Sequence, residues 1–140
     1  VIGESVFTGD VAGAKINNGP LVPACPPPDI NVEEWEKSLE IIKNENPKLL
    51  YFTHFGKFSY KENEIINLQN TLKEWLIWVK KNRDQNETIL IEKFKVYIKK
   101  SLKSKLVDDQ TIEQYCIANP PYMSILGLKR VLIKKNYDKA

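Results

Sequence analysis

Two side chains of metal-ligand type stand where strands should end. Asp10 follows Ser5-Val6-Phe7-Thr8, a short β-prone run closed by Gly9, a residue that permits a sharp turn. His54, the chain's single histidine, follows Lys48-Leu49-Leu50-Tyr51-Phe52-Thr53 and precedes Phe55-Gly56. That continuous apolar and aromatic run is the pattern of a strand buried on both faces. A carboxylate and an imidazole at neighbouring strand ends suit zinc or another divalent transition metal. Each alone has an ordinary reading: Gly-Asp after a strand makes a turn, and a histidine at a strand end is commonly structural. The order joins them: a strand ending in Gly-Asp, a proline-rich loop, one helix, and a strand ending in Thr-His-x-Gly.

The loop offers two further candidates. Residues 10–29 contain Gly13, Gly19, Pro20, Pro23, Pro26, Pro27 and Pro28, which suppress helix and sheet alike. Lys15 is placed to contact an anionic group of a substrate, and Cys25, in Pro23-Ala24-Cys25-Pro26, to line a pocket. A rigid connector over the surface explains the same composition, and both readings stand. Cys25 and Cys116 lie far apart in sequence and read as free thiols of a cytoplasmic protein.

Phe7-Thr8-Gly9-Asp10 and Thr53-His54-Phe55-Gly56 resemble the last two ligand motifs of the metallo-β-lactamase-fold hydrolases, of the glyoxalase II and thioesterase-like kind. The resemblance covers residues 1 to about 80. It implies that Asp10 bridges two metal ions and that His54 binds one of them. It also implies hydrolysis of an ester- or thioester-like carbonyl by metal-bound hydroxide. The family's His-x-His-x-Asp-His motif and middle histidine have no counterpart here. A catalytic zinc normally takes three protein ligands and a water, so the chain is expected to be inactive alone. Its expected partners are the missing N-terminal half of the domain, or further copies of itself, with a small-molecule substrate for the whole.

The elements that must position these residues follow from periodicity. Asn31 caps a first helix with Glu34 at the capping-box position, Trp35, Leu39 and Ile42 form its covering face, and Asn46-Pro47 stops it. Strand, helix and strand form a βαβ-like unit with its two strands parallel or in one sheet, and this order together with the resemblance implies that Asp10 and His54 lie at one sheet edge. From Glu62 the chain is helical. Ile65, Leu68, Leu72, Trp75 and Val79 trace one stripe, widened by Ile66, Leu76 and Trp78. Asn82 to Gln85 break that helix. A third, from about Glu87 to Lys105, turns Ile91, Phe94, Ile98 and Leu102 inward. A short fourth carries Ile112, Tyr115 and Cys116, and a fifth, opened by Asn119-Pro120-Pro121, carries Ile125, Leu128 and Leu132. Gly127 weakens the fifth or permits close packing. The expected fold is α+β and mostly helical: residues 1–82 as the C-terminal part of the αββα fold, with about two strands and a helix, and 83–140 as a helical extension.

Composition excludes some function classes. The 140 residues are 42% hydrophobic and 28% charged, with three tryptophans, enough to bury a core. No apolar stretch approaches a membrane span, and no signal peptide is legible at the start. Residues 86–140 hold 11 Lys and Arg against 6 Asp and Glu, or +5, while residues 1–85 hold 10 against 12, or −2. With arginine only at positions 83 and 130, nucleic-acid recognition is disfavoured, since bidentate base and phosphate contacts usually rely on arginine. Lysines on amphipathic helices more commonly form a solvated face. Asn86-Glu87-Thr88 fits a glycosylation sequon, with nothing else arguing for secretion. The alternative function is a non-catalytic helical interaction or oligomerisation module. Unpaired strand edges lead us to expect self-association in either case.

Overall fold

The structure, a computed structural model, describes residues 1–26 and 30–137, with side chains to residue 135. Pro27 and Pro28, counted above among the loop's breakers, lie outside the described residues. The fold is α+β and mostly helical, with three strands and five helices among the described residues. None of those helices is long and apolar enough to cross a membrane.

β1 (Ser5–Gly9) and β2 (Leu49–Phe52) are parallel neighbours joined by α1 (Val32–Glu45), which is the expected unit. Asn31 starts α1 by accepting from the amides of Glu33 and Glu34, and Asn46, at φ 43°, ends it. β3 (Gly56–Ser59) was not expected. It folds back antiparallel on β2, so that the sheet order is β1-β2-β3. Thr53-His54-Phe55 form the intervening turn, and Gly56, at φ 84°, occupies the left-handed position that closes such hairpins.

Register decides which face of the sheet is covered. Val6, Leu50 and Phe58 are opposite one another across the three strands, as are Phe7, Tyr51 and Lys57 on the other face. The first row, with Phe52, packs on Leu39 and Ile42 of α1 and on Ile65 and Leu68 of α2 (Glu62–Asn82). The second row is uncovered: Phe7 is 61% exposed and stacks on Tyr51 at 4.9 Å between ring centroids. The expectation that β2 is buried on both faces is therefore corrected. Its residues alternate, with Leu50 and Phe52 buried and Leu49 and Tyr51 only half-buried.

The stripe on α2 is buried as its spacing requires, and it spans two apolar clusters. Ile65 and Leu68 belong to the sheet cluster, and Leu72, Trp75 and Val79 to a helical one. Leu76 and Trp78 pack against the helical cluster from the side, whereas Ile66 is exposed. α3 (Glu87–Ser104), α4 (Asp109–Ala118) and α5 (Pro121–Tyr137) complete that cluster. Leu90 of α3 is fully buried and Ile91 only partly, a shift of one position from the expected face. Val131 of α5 is buried and Leu132 half-buried, a similar shift. A Cβ on Gly127 would stand 2.2 Å from the Cys25 carbonyl oxygen, so this glycine permits close packing of α5 on the loop. Asn86 caps α3 by accepting from the Thr88 amide, which gives the sequon position a structural role.

Candidate functional site

The sheet edge carrying Asp10 and His54 is built from local chemistry. β1 ends in an irregularity between Phe7 and Gly9, and Gly9 takes φ 56°. The buried Thr8 hydroxyl crosses the irregularity by donating to the Tyr51 carbonyl at 3.2 Å, tying the end of β1 to β2. The chain then turns twice, with the amides of Val11 and Gly13 donating to the carbonyls of Thr8 and Asp10. The Trp35 indole holds the turn against α1 by donating to the Val11 carbonyl at 2.9 Å. Asp10 is thereby fixed at the carboxyl end of β1, and His54 at the carboxyl end of β2.

Their side chains meet. His54 Nε2 lies 3.9 Å from Asp10 Oδ1, with the two side chains 67% and 63% exposed. That separation is too long for a good hydrogen bond. Two ligand atoms on a tetrahedral zinc at ordinary bond lengths stand about 3.3 Å apart. A small side-chain adjustment on an open edge spans the difference, so the pair fits as two donors to one metal ion. Among the described residues, no group of three or more His, Cys, Asp and Glu side chains gathers to complete such a site. The edge thus brings together two side chains of ligand type and, among the described residues, no third.

Lys15 and Cys25 have other surroundings. The Lys15 side chain is buried, and its ammonium donates to Glu64 Oε1 at 2.7 Å and to the Gly19 carbonyl at 3.0 Å, 5.4 Å from the Phe58 ring centroid. Its charge is spent inside the protein. Cys25 lies in the helical cluster, where burial pushes its thiol up to about 12. Cys116 is partly exposed, and burial raises its thiol as well.

The loop between β1 and α1 is anchored by side chains whose role the sequence did not reveal. The buried Tyr115 hydroxyl donates to the Pro20 carbonyl at 2.6 Å and accepts from the Ile16 amide at 3.1 Å. Asn119 Nδ2 donates to the Pro23 carbonyl at 2.8 Å. Ala12, Ala14, Leu21 and Val22 are buried, so the loop is tied into both clusters. The only hint of this was a tyrosine on an apolar helix face, since its hydroxyl needs a partner when buried.

One open groove adjoins the sheet edge. Ile16 and Asn17 of the loop, Phe55 of the β2–β3 turn, and Gln114, Ile117 and Ala118 of α4 line it with Lys15, bordering a widely open space of about 440 Å³. Phe55 is the residue after His54, and their rings lie 6.2 Å apart. Sequence reading gave Phe55 and Ile117 no role. An isoleucine off the buried face of α4, 77% exposed, was the available signal.

No protein-family model, curated protein or solved structure matches the chain.

Proposed function

We propose that this chain contributes Asp10 and His54 to the metal site of a metal-dependent hydrolase of the metallo-β-lactamase type. One observation carries the reading: parallel β1 and β2 end together and deliver a carboxylate and an imidazole 3.9 Å apart on an open edge. The carboxyl ends of parallel strands are where open sheets commonly bind ligands. Zinc is the favoured ion for this donor pair, and two ions are expected in the complete site. A metal bound there supplies Lewis acidity and lowers the pKa of water towards neutrality, as hydrolysis of an ester- or thioester-like carbonyl requires. The remaining ligands come from outside these residues, because His54 is the sole imidazole. Alone, the chain binds metal weakly and does not turn over substrate.

The test is a zinc titration followed by NMR of the His54 ring. The expected result is a saturable shift that Asp10→Ala removes. Ring signals indifferent to zinc, or a shift unchanged in Asp10→Ala, would overturn the reading. A polypeptide extended upstream of Val1 should bind metal stoichiometrically and lose hydrolysis in Asp10→Ala.

A second reading, a non-catalytic module that associates with copies of itself, is favoured by the Phe7–Tyr51 stack on the uncovered sheet face and by the outer edge of β1. Sedimentation of wild type and Phe7→Asp tests it: an oligomer that Phe7→Asp dissociates supports association through this face, and a wild-type monomer at high concentration excludes it.

A further inference from the structure

The groove beside His54 has a composition that selects its occupant. Its apolar walls are Ile16, Phe55, Ile117 and Ala118, contributed by the loop, the hairpin turn and α4, and its polar side chains are the amides of Asn17 and Gln114. Lys15 is the one ionisable residue of the lining, and its ammonium is committed to Glu64 and the Gly19 carbonyl. The groove therefore presents no free charge to an anion or a cation. Ile117 is 77% exposed and Ala118 beside it is exposed as well, whereas Ile112 and Tyr115 of the same helix are buried. Ile117 and Ala118 share this lining with Ile16 and Phe55, so together they offer apolar surface that an alkyl group would cover. The space, about 440 Å³, is widely open to solvent, so it would cover one side of a small alkyl group. Phe55 fixes its position relative to chemistry, since the same turn carries His54.

We infer that this groove binds the uncharged aliphatic part of a carbonyl substrate whose reacting group lies at Asp10 and His54. The assignment of a reacting group rests on the metal-site reading above, whereas binding in the groove does not. The substrate class is then a neutral acyl ester, thioester or amide with an aliphatic chain, in preference to a phosphorylated or otherwise anionic compound. α4 acts as a specificity wall: a shorter side chain at 117 opens the groove, and a charge there closes it to alkyl groups.

The probe is hexanamide, a neutral alkyl carbonyl compound, titrated into the whole chain in the presence of EDTA and followed by NMR. Hexyl phosphate and hexylamine serve as charged comparators of equal chain length. Expected are saturable shifts of the Ile16, Ile117 and Ala118 methyl and Phe55 ring signals, at least tenfold weaker binding to Ile117→Asp, and no gain from either charge. Ile117 is exposed, so Ile117→Asp should keep the wild-type circular dichroism spectrum. Gln114→Lys, a second exposed change on the same wall, should favour hexyl phosphate over hexanamide. Shifts that miss these residues, binding unchanged in both variants, or a preference of the wild type for either charged probe would overturn the proposal. Asp10→Ala should leave hexanamide binding intact. The two readings therefore fail separately: zinc response without groove shifts removes the groove, and groove shifts without zinc response remove the metal site and the assigned reaction.

Discussion

The sheet half and the helical half of this protein bury their apolar residues differently. In the helical half, α2, α3, α4 and α5 enclose Trp75, Phe94, Ile112, Tyr115 and Leu128 from several sides, and aromatic rings meet at 5.0 to 5.4 Å across α2 and α3. In the sheet half one face is sealed by α1 and α2, while on the other Phe7 is exposed and stacks on the half-buried Tyr51. A side chain of the first region is held by its neighbours, and one at the sheet edge is free to hold something else. The ligand-type residues lie in the second region. Closed packing supplies stability, and the open edge supplies accessible donors.

Five measurements break or sharpen this contrast. Phe94→Ala should cost the most, about 3–5 kcal/mol in urea or thermal unfolding, because a fully buried ring contacting Trp75, Trp78 and Tyr97 leaves a cavity. A loss below about 1 kcal/mol would show that the helical half is not the stabilising core. Lys15→Met should cost on the order of 3 kcal/mol by leaving Glu64 without its partner in a partly buried position. A cost near zero would argue that the ammonium is available for other contacts.

Tyr115→Phe should lose about 1–3 kcal/mol, since the Ile16 amide and Pro20 carbonyl are left unpaired in the interior. The same tyrosine gives an alkaline limit. Burial raises its phenol from 10.0 to about 12, so the folded state favours the protonated form. Its contribution is complete below pH 10 and is lost as pH rises towards 12, where an unfolded chain ionises first. Unfolding followed across that interval should show falling stability in wild type and a weaker dependence in Tyr115→Phe. The smallest effects belong to the open edge. Asp10→Ala and His54→Ala should each change stability by less than about 0.5 kcal/mol while removing the zinc response of the other residue. A large destabilisation by either would assign the pair a structural role.

Much of the helical half was legible because helical periodicity is written over many residues. The stripe from Ile65 to Val79 on α2 is buried at each of its five positions, and Asn31 and Asn46 mark the ends of α1. Shorter signals carried less. β3 is four residues long with Phe58 as its only half-buried member, and a run of that length is set by pairing with β2 more than by its own pattern. Leu90 replaced Ile91 at the core because both are apolar and the neighbouring helices chose between them. Lys15 read as a contact for an anionic group because sequence does not show that Glu64, 49 positions away, sits beside it.

The sequence by itself determined the order of elements, the ends of most helices and the two strand-end motifs, since caps, glycine, proline and periodicity act over a few residues. Tertiary structure alone decided how near Asp10 and His54 stand, that one sheet face stays open, that Lys15 spends its charge internally, and that Phe55 and Ile117 share a groove. Each of those facts depends on residues distant along the chain, whose approach is fixed by strand register and helix packing.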